Sequence, residues 1–440
     1  MFKDAYELDV TCDNDAAMQA YLSGTDCSLR FDQPAIDQFT TAIAHDEEFA
    51  LAHAALSRQL FIHGFREESA KHFKLALSLK ERVTRREQDA IDVAAAAASF
   101  DPQALAMAQS HVASYPNDVF ILAHLLGPFG MLAFSGTTDW PEQNAALLKA
   151  TRPHYPADDW WHMTSRGFFG AEQGMLAQAR EDCERAWSIS ENGNCAHSVA
   201  HMHFEAGALD EGRSFINEWL TKHGAHSNMR HHLVWHLSFL DLESGRDMSQ
   251  VLQIYDRELD PEVNDPTPLE TLCDNASFLW RCHLSDVEIP LGNLREMLAY
   301  AEDHFGHCGF AFADLHRALL TALQAGSDKH KDMVNQLSDF SAESATRAAE
   351  FVCRTAKGLG AFANRDYADA VRILEPVSAD SILVGGSNPQ RRIVEETLVE
   401  ACIRAGENNK ASAILRRRNR ECSIFDQNLL RRIGNLDTSH

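Results

Sequence analysis

Along most of the chain, apolar residues recur three and four positions apart in runs of about 10–15 residues, the spacing of a helix with one buried face. Alternating Val/Ile/Thr-rich runs are nearly absent, and Ala, Leu, Glu, Gln and Arg dominate, so helices are predicted throughout. The runs are broken by Gly, Asn-Asp or Ser-Gly, and the breaks recur. Phe168 to Ala179, His203 to Gly212 and Phe239 to Asp247 each read as a helix end, a glycine, a short turn and a second helix. Their turn glycines, Gly174, Gly207 and Gly245, lie 33 and 38 residues apart. A helix-turn-helix unit of about 34 residues is the tetratricopeptide period. Further units are expected near Ala35 to His53 and Gly360 to Leu374. Each hairpin buries only one face against its neighbours, so the units must stack.

The predicted fold is all-α: a tetratricopeptide-like helical-repeat solenoid, strongly curved around a central groove or pocket. Residues 1–440 form one domain, with repeat blocks at about 30–126, 157–258 and 269–433. Two stretches fit the period poorly and are expected to be irregular connections: about 127–156, rich in Gly, Pro and aromatics, and about 259–268, with Pro261, Pro266 and Pro268.

Composition narrows the function. With 64 acidic against 40 basic residues, the formal charge of −24 repels phosphate backbones, so nucleic acid is not an expected partner. The most apolar stretch, Ala90 to Phe100, is short and carries Asp92, while a span needs about 20 apolar residues, so no membrane partner is expected. The N-terminus has acids where a signal peptide wants an apolar run, and the ten cysteines form no CxxC pair. These features predict a cytoplasmic protein with reduced thiols. No glycine-rich phosphate loop follows a strand and no GxSxG elbow is present.

The 22 histidines are unevenly spread. His197 and His201 are four apart in a predicted first helix and share a face. One repeat later His232 and His236 do the same, with Trp235 beside them. First helices pack side by side, so the two pairs can face each other across one groove. Taken singly, each histidine is more simply a hydrogen-bonded core residue. Taken together they suggest a polar pocket for a small polar or anionic ligand. His201 and His236 would be acid/base or ligand-contacting groups, imidazole being suited to proton transfer near neutral pH. Asp314 would orient His316, and Trp160, Trp161 and Trp235 would form apolar walls. No cofactor is called for in that reading. The alternatives are a protein-interaction scaffold that binds a peptide, and a Zn²⁺ or other divalent metal site made by His197, His201, His232 and His236. A homo-oligomer is compatible with all three.

Gly385 to Arg392 precedes a helical stretch that Ser387 or Asn388 can cap, with Pro389 in its first turn. Exposed N–H groups there, with Arg391, would hold an anion; an ordinary capped helix is the simpler account. Thr84 three before Glu87 reads as a capping box.

The polar motifs also carry a resemblance. Thr84-Arg85-Arg86-Glu87-Gln88, His197-x-x-x-His201-x-His203, His232-x-x-Trp235-His236, Asp314-x-His316 and Gly385-Gly386-Ser387-Asn388-x-Gln390-Arg391 occur in this order between about Ala35 and Ile433. In this the chain resembles the tetratricopeptide repeat protein 38 family. The resemblance implies an all-α repeat fold and a shared polar set: His53, His197, His201, His203, His232, Trp235, His236, Asp314, His316, Asn388, Gln390 and Arg391. It implies no particular reaction. The chain departs from the family in extra histidines, such as His231 and His307, and in its glycine-rich 127–136 segment.

Overall fold

The computed structural model describes residues 1–32, 34–245, 247, 251–253, 259, 267–324, 328–417 and 424–437. The predicted connection at 259–268 therefore lies mostly outside the described residues, Pro261 and Pro266 included. Among the described residues the fold is an all-α helical repeat, apart from a two-stranded antiparallel ribbon, β1 (Phe2–Lys3) with β2 (Asp9–Val10).

Helices follow one another as antiparallel pairs: α1 (Asp15–Arg30) with α2 (Ala35–His45), α3 (Ala50–Ile62) with α4 (Arg66–Leu79), and α5 (Arg85–Ala98) with α6 (Ala104–Ser114). Pairing thus starts at Asp15, earlier than the repeat pattern predicted. The capping box of α5 is formed as expected, Thr84 accepting from the Glu87 N–H while the Glu87 carboxylate accepts from the Thr84 N–H.

After α7 (Val119–Leu125) the chain is irregular up to Asp139, but Trp140–Thr151 is a helix, α8, inside the stretch predicted to be irregular. Pro141 obscured it: proline sits in the first helical turn, where its missing N–H costs nothing.

The middle block holds α9 (Trp160–Glu172), α10 (Leu176–Ile189), α11 (Gly193–Glu205), α12 (Leu209–Lys222) and α13 (Arg230–Glu243). Gly174 and Gly207 form the turns of two hairpins with φ of +76° and +70°, a left-handed backbone that glycine adopts without a side-chain clash. Within the α9/α10 hairpin the helices approach so closely that a Cβ on Gly167 would lie 2.5 Å from Cys183 Sγ.

The last block comprises α14 (Pro268–Leu284), α15 (Leu291–Phe305), α16 (Ala311–Ala322), α17 (Asp328–Ser344), α18 (Arg347–Ala363), α19 (Tyr367–Leu374), α20 (Asn388–Arg404), α21 (Asn408–Arg416) and α22 (Ile424–Asp437).

Helix α20 lies in the interior, where the sequence predicts a central groove or pocket. Helix α20 is buried on nearly all sides, although it carries Arg391, Arg392, Glu396 and Glu400. Its charges are paired within the interior. Arg281 of α14 meets Glu396 at 2.9 Å, Arg392 meets Glu396 at 2.8 Å and also Glu243, and Arg404 meets Glu400 at 2.7 Å. Trp280 Nε1 donates to Thr397 Oγ1 at 2.8 Å, and Arg281 donates to the Pro389 carbonyl at 2.9 Å. The Gly127–Ser135 stretch closes the same end: Gly386 N–H donates to the Pro128 carbonyl at 2.9 Å, and Phe129 and Phe134 pack on Phe312.

Candidate metal centre

Helices α11 and α13 pack against each other, and the four-residue spacing of their histidines turns both pairs inward. His197, His201, His232 and His236 converge, with one nitrogen from each lying within 4.8 Å of all the others. His232 Nε2 is 3.2 Å from His197 Nε2. The rings contact edge to face, with centroids 4.6 Å apart for His197–His201, His201–His236 and His232–His236. All four residues are buried, at 9%, 0%, 5% and 1% exposure in chain order.

Outer contacts orient two of the rings. His201 Nδ1 bonds Glu172 Oε1 at 3.0 Å, and His232 Nδ1 bonds Asp274 Oδ2 at 2.8 Å. A carboxylate accepts, so each Nδ1 carries the proton, and on the neutral His201 ring Nε2 keeps a lone pair directed inward. Among the described residues, His201 Nε2 and His236 Nε2 are buried without a hydrogen-bond partner. Unpartnered buried nitrogens are costly, and a metal would satisfy them.

Burial pushes His197 and His236 well below the usual imidazole pKa. It also lowers His201, against the opposing pull of Glu172. His232 differs: burial again favours the neutral ring, but the Asp274 charge outweighs it and the pKa rises. Three rings are therefore neutral near pH 7, the form that ligates. Phe168 of α9 stacks on His197 and meets His201 edge-on, while Trp235 stacks on His232 with an 11° interplanar angle and donates Nε1–H to Ser277 at 3.0 Å.

No family model matches the chain. Similar solved structures include one of Naa15/Naa10 bound to HypK-THB, with 14% identity over 96% of this chain and 68% of that chain and a TM-score of 0.25. Another is the P58(IPK) TPR domain, with 14% identity over 90% of each chain and a TM-score of 0.21. Superposition this loose carries no information about a shared binding function.

The other residues singled out from sequence lie apart from this cluster or outside its inner layer. His203 is on another face of α11, against Phe215. His53 pairs with His72, Nδ1 to Nδ1 at 2.9 Å. Trp161 packs on Tyr155, and Trp160 lies under the Arg30 guanidinium, so neither walls the cluster. Asp314 does not orient His316. Its carboxylate accepts from Arg317 at 3.1 Å and from the Gly309 N–H at 2.8 Å, while His316 Nδ1 donates to the Phe312 carbonyl of its own helix at 2.7 Å. Gln390 closes the Ser387 capping box.

At the start of α20, where the sequence suggests an anion, an internal carboxylate sits. Asn388 N–H donates to Glu172 Oε2 at 2.6 Å, Asn388 Nδ2 donates to the Glu172 carbonyl at 2.8 Å, and Arg391 stands 3.7 Å from Glu172 Oε2.

Sequence reasoning missed Phe168, Glu172 and Asp274. Phe168 and Glu172 repeat, one hairpin earlier, the four-residue spacing of His197 and His201, and Glu172 precedes His201 by 29 residues. Aligning first helices would have found them. Asp274 lies 42 residues beyond His232, after a stretch without a readable period.

The geometry is too compact for the small-molecule pocket anticipated from sequence, since the rings touch one another. Two cavities lie nearby: one of about 70 Å³ bordered by Leu242, Arg281, Glu396 and Leu429, and one of about 10 Å³ beside Trp235. No described helix is long and apolar enough to cross a membrane.

Proposed function

We propose that this is a metal-binding helical-repeat protein, in which His197, His201, His232 and His236 hold one divalent transition-metal ion between α11 and α13. One observation carries the reading: four buried histidines each bring a ring nitrogen within 4.8 Å of the others, and among the described residues His201 Nε2 and His236 Nε2 have no hydrogen-bond partner. Tetrahedral zinc with bonds of about 2.0–2.1 Å sets its nitrogens about 3.4 Å apart, so the rings need move by less than about 1 Å. Neutral nitrogen donors suit Zn²⁺, Cu²⁺, Ni²⁺ or Fe²⁺ and disfavour Mg²⁺ and Ca²⁺. Four protein ligands complete a tetrahedral shell and leave no position for substrate, so the role is structural. The ion would join two hairpins at the heart of the solenoid. All four of its ligands belong to the polar motifs on which the chain resembles the tetratricopeptide repeat protein 38 family, and membership of that family is part of the proposal.

A peptide-binding scaffold rests on the repeat architecture alone. Because α20 is buried against α14 and the ends of α9, α11 and α13, a peptide would have to use another face.

The test is metal content of tag-free protein, with Co²⁺ titration followed by its visible absorption. Wild type is expected to take up one ion per chain. His236→Ala and His201→Ala lose it, and His203→Ala, on another face of α11, keeps it. Wild type that binds no transition metal, or His203→Ala that loses it equally, overturns the reading.

A further inference from the structure

The metal ligands and the C-terminal block share one side chain. Glu172, the last residue of α9, accepts from His201 Nδ1 through Oε1 and from the Asn388 N–H, at the start of α20, through Oε2. Its own carbonyl accepts from Asn388 Nδ2. Asn388 is 216 residues away in the chain. Glu172 belongs to a short ladder, since α9, α11 and α13 each end on a glutamate: Glu172, Glu205 and Glu243. Asn388 Nδ2 reaches Glu205 at 3.2 Å, and Arg392 pairs with Glu243. The start of α20 is thus seated on three successive helix ends, and the Glu172 rung also touches a metal ligand.

We propose that metal occupancy at the four-histidine centre and seating of the α20 N-terminus are thermodynamically linked through Glu172. The proposal rests on the metal reading above and adds its regulatory consequence. A metal on His201 Nε2 draws electron density from the ring and makes Nδ1–H a stronger donor to Glu172 Oε1. That bond fixes the carboxylate in the orientation whose second oxygen receives the Asn388 N–H. Without metal, His201 is no longer held from its inner side, and Glu172 loses that restraint. Linkage is reciprocal, so seating of α20 must raise metal affinity by the same factor that metal strengthens seating. Metal loss would loosen residues 385–392 and uncover the acidic helix ends beneath them.

Hydrogen exchange on the full chain, with and without Zn²⁺, tests this. In wild type, Zn²⁺ is expected to slow exchange of the 385–392 amides about tenfold, within the usual range of coupling. In Glu172→Gln, Zn²⁺ still binds, more weakly, and protects α11 and α13 but not 385–392. A purely structural Glu172 would instead shift exchange of the segment equally with and without metal. Asn388→Ala, which touches no ligand, is expected to weaken Co²⁺ binding about threefold to tenfold, and it serves as the test should Glu172→Gln fail to fold. If Co²⁺ absorption shows a filled site while 385–392 exchange is unchanged, or if Asn388→Ala leaves affinity intact, the linkage is wrong and the metal reading stands. If no metal binds wild type, both fall.

Discussion

Replacing Asp274 with Asn isolates the contribution of one buried charge to the centre. Asp274 is fully buried, its Oδ2 lies 2.8 Å from His232 Nδ1, and His232 is itself only 5% exposed. The amide oxygen of Asn accepts the same hydrogen bond in nearly the same place, so geometry is kept and charge is lost. A hydrogen bond to a charged group contributes about 1.5–3 kcal/mol and a neutral one about 0.5–1.5, a difference on the order of 1 kcal/mol. Loss of an outer carboxylate partner typically weakens metal binding about 10–100-fold, or about 1.4–2.7 kcal/mol. The two figures meet near a tenfold loss, which is the expected result for Asp274→Asn. Asp274→Ala also removes the acceptor and leaves a buried Nδ1–H unpaired, so it is expected to approach 100-fold. The assay is Co²⁺ competition against a chelator of known affinity, on tag-free protein at pH 7.5. An Asn variant within twofold of wild type would show that Asp274 does not tune a ligand, and an Ala variant no worse than Asn would show that it does not orient one.

Two further predictions concern stability. His162 and His316 are both buried, and burial pushes each to about 4. In the unfolded chain they titrate near 6.5, so between those values the unfolded state binds more protons. Their contribution to stability is intact above about pH 6.5, is lost as pH falls to about 4, and levels off below, by about 3 kcal/mol for each at most. Urea unfolding of metal-free protein at pH 7.5, 6 and 5 reads this, and His162→Gln should flatten the slope; a stability that stays level down to pH 5 refutes it. Gly386 has φ of +80°, and a Cβ there would lie 2.5 Å from Phe312 Cε2, whereas Gly174 at +76° faces open space. Gly386→Ala is therefore expected to cost about 2–4 kcal/mol, strain plus overpacking, and Gly174→Ala about 1 kcal/mol from strain alone. Equal losses in chemical denaturation would show that the Phe312 contact is not tight.

What could be read from sequence was local. The hairpin turns at Gly174 and Gly207, the Thr84–Glu87 cap and the shared faces of His197/His201 and His232/His236 all follow from periods shorter than one helix pair. The departures have long-range causes. Asp314 and His316 sit two apart on a helix, which sends their side chains in different directions, and each finds a partner within its own neighbourhood. The anion-binding helix start at Asn388 was recognisable, but nothing near it in the chain indicates that its anion is Glu172. The polar look of Arg391 to Glu400 suggests a surface helix. Only the pairing of those charges with Arg281, Glu243 and their neighbours makes it an interior one.

The placement of α20 has a consequence for biosynthesis. An open solenoid can fold progressively as it leaves the ribosome, each hairpin settling on the one before. Here the middle hairpins await a helix translated about 150 residues after α13, since Arg392 and Glu243 are 149 positions apart. Until that helix emerges, Glu172, Glu205 and Glu243 lack their Asn388 and Arg392 contacts and the surfaces α20 buries stay uncovered, the kind of state that chaperones shield. A truncation that removes α20 would leave every molecule in that exposed state.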